Sequence, residues 1–397
     1  MAITKIELNG LFDGSSVKQE AVTKVLKDKS ELLAQKGKEM SDDDIKRQLN
    51  TYSKAVNCEV NIQQEFAPNE FLFEIGGNKY LTRGDIHTVG AKQKHGKTTY
   101  LRIHVAAAVC GRWNKIKCLS PGMEIVYVDT EMKPVDTQNS IKQIIELSGL
   151  PAEEVTKHLH MYNMRPLSPE EMKDGIRLYL ELHHPALLAI DGIVDLCKDF
   201  NDVEASQELV IDYLIKLAEK YNCAIVVVLH TNKTDNYTEL RGHLGAFLGQ
   251  KGGSVIKCIK DEKTNIVTVT MPTVRYMPVP DWYFGFDEEG RPVDAEQQFL
   301  EAQAEAARSE RERKEAERDI VNRERKNIIL DIINANAGSS LRKDVLEKFT
   351  IRTKVSETIF KQLVKEMANA NPPELYKSGP NTRMILSTHP IEVIPGI

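Results

Sequence analysis

IHTVGAKQKHGKTTYL, residues Ile86–Leu101, is the stretch that decides the fold of this chain. A phosphate-binding loop needs inward backbone N–H groups, a helix N-terminus behind them, a lysine and a hydroxyl. HGKTT, between a β-like run and a helical run, supplies these features in order. Only the first glycine is displaced, because Gly90 stands one residue early and Ala91 holds its usual position. Alanine fits there if φ stays negative; the alternative interpretation is a glycine turn before a surface helix.

Length and composition limit the class of protein. A chain of 397 residues can form two or three domains, one of them a sizeable α/β unit. The formal net charge is −5, so affinity for nucleic acid has to come from local basic patches. The sequence has neither a leader-like apolar segment nor an apolar run of about 18 residues, which predicts a cytoplasmic protein without a membrane span. The six cysteines form no C-x-x-C pair and are predicted to be reduced and buried.

Residues 66–295 predict an α/β core with a mostly parallel central sheet, because β-rich runs alternate with longer amphipathic stretches. Near-continuous apolar runs such as AIVVVL suit strands that are buried on both faces. Seven strands are predicted, in DIHTVGA, MEIVYVDTE, HLHMYN, ALLAIDGIVDL, CAIVVVLHTN, GGSVIKCIKD and NIVTVTMPTVR. QNSIKQIIELSGL and SQELVIDYLIKLAEKYN have the apolar spacing of crossover helices.

Three further segments flank this core. Residues 1–65 are polar and predict a small accessory arm with one helix. Residues 296–327 are charge-dense and lack glycine and proline, which predicts a solvated helical linker. Residues 328–390 predict three short helices followed by two β-like runs around a Gly-Pro-Asn turn, which is the order of a winged-helix-like domain.

Polar side chains follow three of the predicted strands. Glu131 follows VYVDT, Asp191 follows LLAI, and His230 follows AIVVVL. Carboxylates at strand ends beside a phosphate loop are what Mg²⁺ and an attacking water require. We therefore expect Asp191 to hold Mg²⁺ with Thr98, Glu131 to polarise the water, and His230 to sense the phosphate. Taken singly, each residue is also explained as a solvated or capped strand end.

Together these motifs resemble the RecA-like P-loop NTPase core, and within it the RepA-like family of hexameric replicative helicases and their relatives on bacterial mobile elements. The resemblance rests on AKQKHGKTT as Walker A, VYVDTE, LLAIDGIVDL as Walker B, VVVLHTNK and LRGHLG, across a little over half of the chain. It implies ATP and Mg²⁺ as cofactors and Lys97, Glu131 and His230 as catalytic residues. The nucleotide-binding positions that it implies are Gly90, Ala91, Lys94, His95, Gly96, Lys97, Thr98 and Thr99.

The resemblance also implies a homo-oligomer, usually a ring of six, with nucleotide sites between subunits. A basic residue of the neighbour enters each site in this family; Lys251 is the first candidate and Arg275 the second. Loops after the sensor strand face the channel of such rings, so we expect Thr234–Gly245 to contact single-stranded DNA. The expected contacts there are Lys233, Arg241 and His243. An ordinary surface connection is the alternative interpretation of this segment.

The C-terminal segment is basic although the whole chain is acidic. Residues 321–390 hold twelve Lys or Arg against seven Asp or Glu. A winged helix with a basic recognition helix and wing binds duplex phosphates. The expected duplex contacts are Lys354, Lys361, Lys365, Lys377 and Arg383. Winged helices also dock proteins, which is the alternative role of this segment.

The sequence thus predicts an ATP-hydrolysing, ring-forming DNA motor. The specific prediction is a RepA-like helicase that serves replication or mobilisation of a plasmid or mobile element, together with a partner from that machinery. The alternative is an ATP-dependent DNA-binding switch, such as a loader or regulator, that does not unwind DNA.

Overall fold

The computed structural model of the chain describes residues 16–36, 38, 40–60, 62–232, 239–380 and 383–390. The chain divides into two compact units, Met1–Glu70 and Phe71–Ile397. The first unit contains two helices in its described part, α1 (Ser16–Gln35) and α2 (Asp42–Val56). They pack through a small apolar cluster formed by Val22, Leu26, Ile45 and Leu49. The sequence predicts only one helix here, so α2 is an addition.

The strands of the second unit are, in chain order, β1 (Phe71–Ile75), β2 (Asn78–Thr82), β3 (Ile86–Ala91), β4 (Arg112–Trp113), β5 (Ile116–Cys118), β6 (Ile125–Asp129), β7 (Leu159–Asn163), β8 (Leu187–Asp191), β9 (Ala224–His230), β10 (Ser254–Lys260), β11 (Val267–Val274), β12 (Trp282–Phe286), β13 (Pro292–Asp294), β14 (Ser339–Leu341), β15 (Tyr376–Ser378) and β16 (Ile385–Ser387).

The helices of this unit are α3 (Lys97–Cys110), α4 (Pro134–Ser148), α5 (Ala152–His158), α6 (Pro169–His183), α7 (Val203–Gln207), α8 (Lys216–Tyr221), α9 (Gly242–Lys251), α10 (Glu296–Asn334), α11 (Arg342–Thr353) and α12 (Glu357–Asn369). A π-helical segment, Glu208–Ile215, joins α7 to α8, and a 3₁₀ turn, Ile193–Leu196, follows β8. In the part of the chain that the structure describes, no helix is long and apolar enough to cross a membrane.

The central sheet has nine strands in the described residues, in the order β13-β12-β11-β10-β3-β9-β8-β6-β7. The six strands from β10 to β7 are parallel, and β11, β12 and β13 extend the sheet by antiparallel pairing. This confirms the predicted α/β class and mostly parallel sheet, and all seven predicted strands are present. One apolar layer includes residues of α3 and α4, and the other includes residues of α6 and α9, so both faces of the parallel strands are buried.

Several elements go beyond the sequence prediction. A small antiparallel sheet of order β2-β1-β5-β4 precedes and follows α3. The helix α10 spans both the predicted linker and the first predicted terminal helix without a break, because 296–334 contains neither glycine nor proline. Its last turns join α11 and α12 in a separate apolar cluster beside the sheet β14-β16-β15. Cys118, Cys197, Cys223 and Cys258 are buried as predicted, whereas Cys58, just past the end of α2, is exposed.

An aromatic core beneath α3 contains a buried histidine. His104 donates from Nδ1 to the carbonyl of Tyr100 at 2.9 Å, which leaves Nε2 to accept from the Tyr80 hydroxyl at 2.9 Å. The His104 ring stacks on the Tyr100 ring at 4.0 Å and lies 5.9 Å from the ring of Trp282. Burial lowers the pKa of His104 to about 4. The imidazole is therefore neutral in the folded protein.

We predict that His104 makes stability fall in mild acid. The folded pKa is about 4 against an ordinary 6.5, so the contribution is complete above pH 6.5 and is lost as the pH falls towards 4. The full loss is about 3 kcal/mol. Urea unfolding followed by fluorescence measures it, since both tryptophans of the chain, Trp113 and Trp282, adjoin each other in this core. His104→Gln lacks the titration and should lose less stability over this interval; an equal loss in both proteins would contradict the prediction.

Candidate nucleotide-binding and catalytic site

The loop of residues 92–96 joins the carboxyl end of β3 to the first turn of α3. Gly96 caps α3 with a φ of 86°, and a Cβ at this position would lie 2.8 Å from Cζ of Phe284. Glycine is required there on both counts. Lys94 also has a left-handed backbone, with a φ of 63°. Such conformations are held by their surroundings and concentrate at functional sites.

Gly90 and Ala91 explain the displaced glycine of the phosphate loop. Ala91 is the last residue of β3, is buried, and pairs with His230 of β9, so it has the extended backbone that any residue adopts. Gly90 lies one residue earlier in the strand, where a Cβ would lie 2.5 Å from Cδ2 of Leu240. Packing beneath the loop therefore requires the glycine at 90, and alanine is accommodated at 91.

Lys97 is the first residue of α3 and is buried. Its Nζ donates to the carbonyls of Ala91 at 3.3 Å and Lys92 at 2.8 Å, and lies 3.1 Å from Nδ1 of His230. Burial lowers the pKa of Lys97, and the nearby carboxylate of Glu131 opposes this effect. Burial and the charge of Lys97 also lower the pKa of His230, so its neutral ring can accept from the lysine. The ammonium thus links the loop to the end of β9.

Asp191 ends β8 and is 5% exposed. Its carboxylate accepts hydrogen bonds from the Thr98 hydroxyl and, at 2.8 Å, from the Tyr127 hydroxyl. Burial raises the pKa of Asp191, and these two hydrogen bonds lower it. The contacts join α3, β8 and β6 at one carboxylate. A hydroxyl and a carboxylate beside a phosphate loop are hard oxygen ligands of the kind that Mg²⁺ prefers, so the donor set fits this ion.

The turn after β6 sets the position of Glu131. Oδ1 of Asp129 accepts the backbone N–H groups of Glu131 at 3.1 Å and Met132 at 3.0 Å. The side chain of Asn163, at the end of neighbouring β7, donates to the carbonyl of Met132 at 2.9 Å. Both ends of the peptide that follows Glu131 are thereby fixed by buried or half-buried side chains.

Gly192 provides the space into which the Glu131 side chain folds. It has a φ of 108°, and a Cβ there would lie 2.8 Å from Cγ of Glu131 and still closer to the Thr130 hydroxyl. That hydroxyl lies 2.8 Å from Oδ2 of Asp195. Although Glu131 as a residue is exposed, its carboxyl is within the cleft, where partial burial and the charges of Asp191 and Asp195 raise the pKa of Glu131. A raised pKa makes the carboxylate a better proton acceptor.

These side chains meet in one cleft of about 250 Å³ at the carboxyl edge of the sheet. The described residues that line it are Gln93, Lys94, Gly96, Lys97, Thr98, Thr99, Glu131, Asp191, Val228, His230 and Phe286. Of the predicted nucleotide-binding positions, Gly90, Ala91 and His95 lie behind this surface; His95 accepts a hydrogen bond from the Lys260 N–H at 3.1 Å. Sequence reasoning missed Gln93, Val228 and Phe286, which belong to no charged motif. A larger cavity of about 610 Å³ lies beside α9, away from this chemistry.

Lys251 and Arg275 lie at the opposite edge of the sheet from the cleft of their own chain. Arg275 bonds Oδ2 of Asp85 at 3.1 Å and the carbonyl of Lys251 at 3.3 Å. Asp85 directly precedes β3, whose other end carries the phosphate loop. The Lys251 side chain is exposed at the end of α9.

The predicted DNA-contacting residues are spread over two regions. In the core, Arg241 is exposed with its guanidinium 4.4 Å from the ring centroid of Phe200, and His243 is exposed on α9. Lys233 and the beginning of the expected channel segment fall within 233–238, outside the described residues. At the C-terminus, the predicted side chains Lys354, Lys361, Lys365, Lys377 and Arg383 are all exposed.

The fold and the cleft define the class of this protein: an α/β P-loop NTPase core with a RecA-like sheet, in which the strand of His230 lies between the Walker A and Walker B strands. Residues 60–236 match the model of a protein family described as AAA domain, which supports ATPase activity. No curated protein matches the chain.

Two solved structures show similarity to part of the chain. The crystal structure of the RadB recombinase is 16% identical with a TM-score of 0.39, covering 53% of this chain and 91% of that chain. The second, the ATPase domain of a helicase, is 15% identical with a TM-score of 0.41, covering 53% of this chain and 85% of that chain. At these values neither likeness bears on what this chain binds.

We predict that Gly192→Ala impairs ATP turnover by displacing Glu131. Gly149 offers a matched control, because it also has a positive φ of 66° but no described atom lies within 4 Å of its Cβ position. Alanine at either site should lower stability by about 1–2 kcal/mol through backbone strain. Only Gly192→Ala should also lower turnover, by about 10- to 100-fold. Thermal unfolding and steady-state ATPase assays of both variants measure this; normal turnover in Gly192→Ala would refute the positioning role.

Proposed function

We propose that this chain is an ATP-hydrolysing, ring-forming motor that acts on DNA, a RepA-like helicase of a plasmid or mobile element. The observation that carries the proposal is the meeting of Lys97, Glu131 and His230 in one cleft, beside the hydrogen-bonded pair of Thr98 and Asp191. Four different strands and one helix deliver these groups to the same edge of the sheet. No single motif accounts for that convergence.

Each side chain has a role that its surroundings support. Thr98 and Asp191 would hold Mg²⁺, which neutralises phosphate charge when bound. Lys97 offers a buried ammonium to the phosphate oxygens, where low exposure strengthens its electrostatic effect. Glu131 accepts a proton from the attacking water, and its raised pKa suits this task. His230 contacts Lys97 directly and begins the connection towards Arg241, so loss of phosphate can be relayed to that segment.

Ring formation is proposed from the resemblance and from the distribution of basic groups. Lys251 and Arg275 face away from the cleft of their own chain, as a residue that acts in a neighbour's site requires. Arg275 is held by Asp85 at 3.1 Å, whereas Lys251 presents an exposed ammonium. Lys251 is therefore the better candidate for the residue that enters the adjacent site.

The core is proposed to contact single-stranded DNA beside α9. The cavity of about 610 Å³ there is lined by Asn232, His243, Gln250 and Lys257 among others. These polar side chains adjoin the segment that follows the sensor strand, and Arg241 stacks on Phe200 at its border. Polar and cationic groups of this kind suit a nucleic-acid backbone.

The C-terminal segment is proposed to be a winged helix that binds duplex DNA. Its order is the end of α10, then β14, α11, α12 and the hairpin β15-β16. α12 buries Phe360, Leu363, Val364 and Met367 and leaves Lys361 and Lys365 on its outer face. The salt bridge of Lys361 with Glu357, at 2.9 Å, is exposed, so it competes weakly with phosphate. Helix and hairpin thus present one sign of charge.

Separation of the strands of a forked duplex distinguishes the motor from an ATP-dependent DNA-binding switch, because both hydrolyse ATP. Turnover without strand separation would favour a loader or regulator.

Two substitutions separate binding from chemistry in the cleft. Lys97→Ala should abolish ATP turnover without unfolding the protein, because the ammonium stabilises transition-state charge. Glu131→Gln keeps the shape of the side chain but removes the base, so ATP should still bind while hydrolysis falls by about 100-fold or more. Steady-state ATPase assays and equilibrium binding of ATP on monodisperse protein test both. Unchanged turnover in Lys97→Ala would remove the loop from the active site, and loss of binding in Glu131→Gln would make that residue structural.

Truncation tests the division of labour between core and C-terminus. A chain that ends near Arg311 should keep its oligomeric state, basal ATPase and single-strand binding, and should lose most duplex affinity with its steep salt dependence. In the full chain, Lys365→Ala with Lys377→Ala should flatten the salt slope by about two. Fluorescence anisotropy on both DNA forms at several salt concentrations measures these changes. Unchanged duplex binding after truncation would mean that the segment docks protein.

A further inference from the structure

The strand β12 reaches the same edge of the sheet as the phosphate loop. It is antiparallel to β11, which is antiparallel to β10, and β10 is parallel to β3. The carboxyl ends of β12 and β3 therefore lie together. Phe284 and Phe286 point to the same side of β12 because they are two residues apart. Phe284 packs against Gly96 of the loop, and Phe286 lines the cleft.

The ring of Phe286 is held in place but is not covered. It meets the Phe284 ring edge-on, with centroids 5.7 Å apart and an angle of 79°. The Lys260 ammonium lies 5.6 Å from its centroid. A turn in which Arg291 donates to Asp287 from both its backbone and its side chain, each at 2.8 Å, directly follows Phe286. Even so, Phe286 is 36% exposed, in contrast to the fully buried Phe284.

The order of the sheet determines which part of a nucleotide comes near this ring. Glu131 and His230 come from β6 and β9, on one side of β3, whereas Phe286 comes from β12 on the other side. The terminal phosphate belongs beside Glu131 and Lys97. The opposite end of the molecule, which is the base, therefore extends towards β12. An exposed aromatic ring offers a base a stacking surface, whatever the groups on the base edge.

We propose that Phe286 is the base-stacking residue of this nucleotide site. This inference rests on the proposed ATPase function and adds the element that recognises the base. Stacking depends on ring area and does not read the base edge, so the site favours purine over pyrimidine nucleotides and distinguishes adenine only weakly from guanine.

The test compares ATP with a ligand that has no base. Phe286→Ala should raise KM for ATP and for GTP by about tenfold and leave kcat within about twofold, because stacking contributes equally to ground state and transition state. The inhibition constant of Mg²⁺-tripolyphosphate should not change, since it reaches only the phosphate loop. Phe286→Tyr keeps the aromatic face and should behave as wild type. Phe286→Leu keeps apolar volume without a planar face and should resemble Phe286→Ala.

The outcomes separate this inference from the proposed function. Wild-type KM for ATP in Phe286→Ala would overturn the stacking role while leaving the ATPase intact. Equal weakening of ATP and tripolyphosphate would show that the substitution damages the loop through Phe284 and Gly96, which also overturns it. A wild-type protein that neither binds nor hydrolyses ATP would overturn the proposed function and this inference with it. Rescue by Phe286→Tyr but not by Phe286→Leu supports the planar-ring assignment.

Discussion

The buried carboxylate of Asp191 is the contact on which the rest of the cleft depends. A carboxylate with so little access to water is unfavourable unless it is hydrogen-bonded, and here the hydroxyls of Thr98 and Tyr127 meet that need. The same two bonds bring the first turn of α3 and the end of β6 to the end of β8. Lys97 and Glu131, each next to or near one of these anchors, are thereby brought to facing sides of one cleft. Satisfying one buried charge and arranging the catalytic groups are thus a single structural event.

Gly90 and Ala91 illustrate why a motif can depart from its usual form without losing its function. The left-handed position is at Gly96, where glycine is retained. The first position of the loop is still part of β3 and accepts a Cβ. Glycine moves to residue 90 because Leu240 fills the space above it. A sequence pattern records backbone conformation and packing together, and only the structure separates the two.

The sequence predicted the parallel strands well because each is a continuous apolar run that requires burial on both faces. The antiparallel strands β12 and β13 escaped prediction, since they are short and bear aromatic residues beside turn formers. Phe286 was missed for the same reason, as DWYFGFD resembles an ordinary hydrophobic edge. Gly192 was visible only as part of Walker B, because its requirement comes from Glu131, about sixty residues away in sequence. The helix α2 buries little besides Ile45 and Leu49, a stripe too narrow to stand out in a charged segment.

The unbroken helix α10 gives the C-terminal segment a rotational phase as well as a reach. Each residue of an α-helix adds about 1.5 Å and about 100° of rotation. Deleting five residues from its solvated middle would turn the basic face of α12 by about 140°, to nearly the opposite side. Deleting seven would shorten the connection by about 10 Å yet return that face almost to its original direction. Length variation along 296–334 is therefore constrained to steps of about seven or eleven residues, although hardly any side chain in its middle is buried.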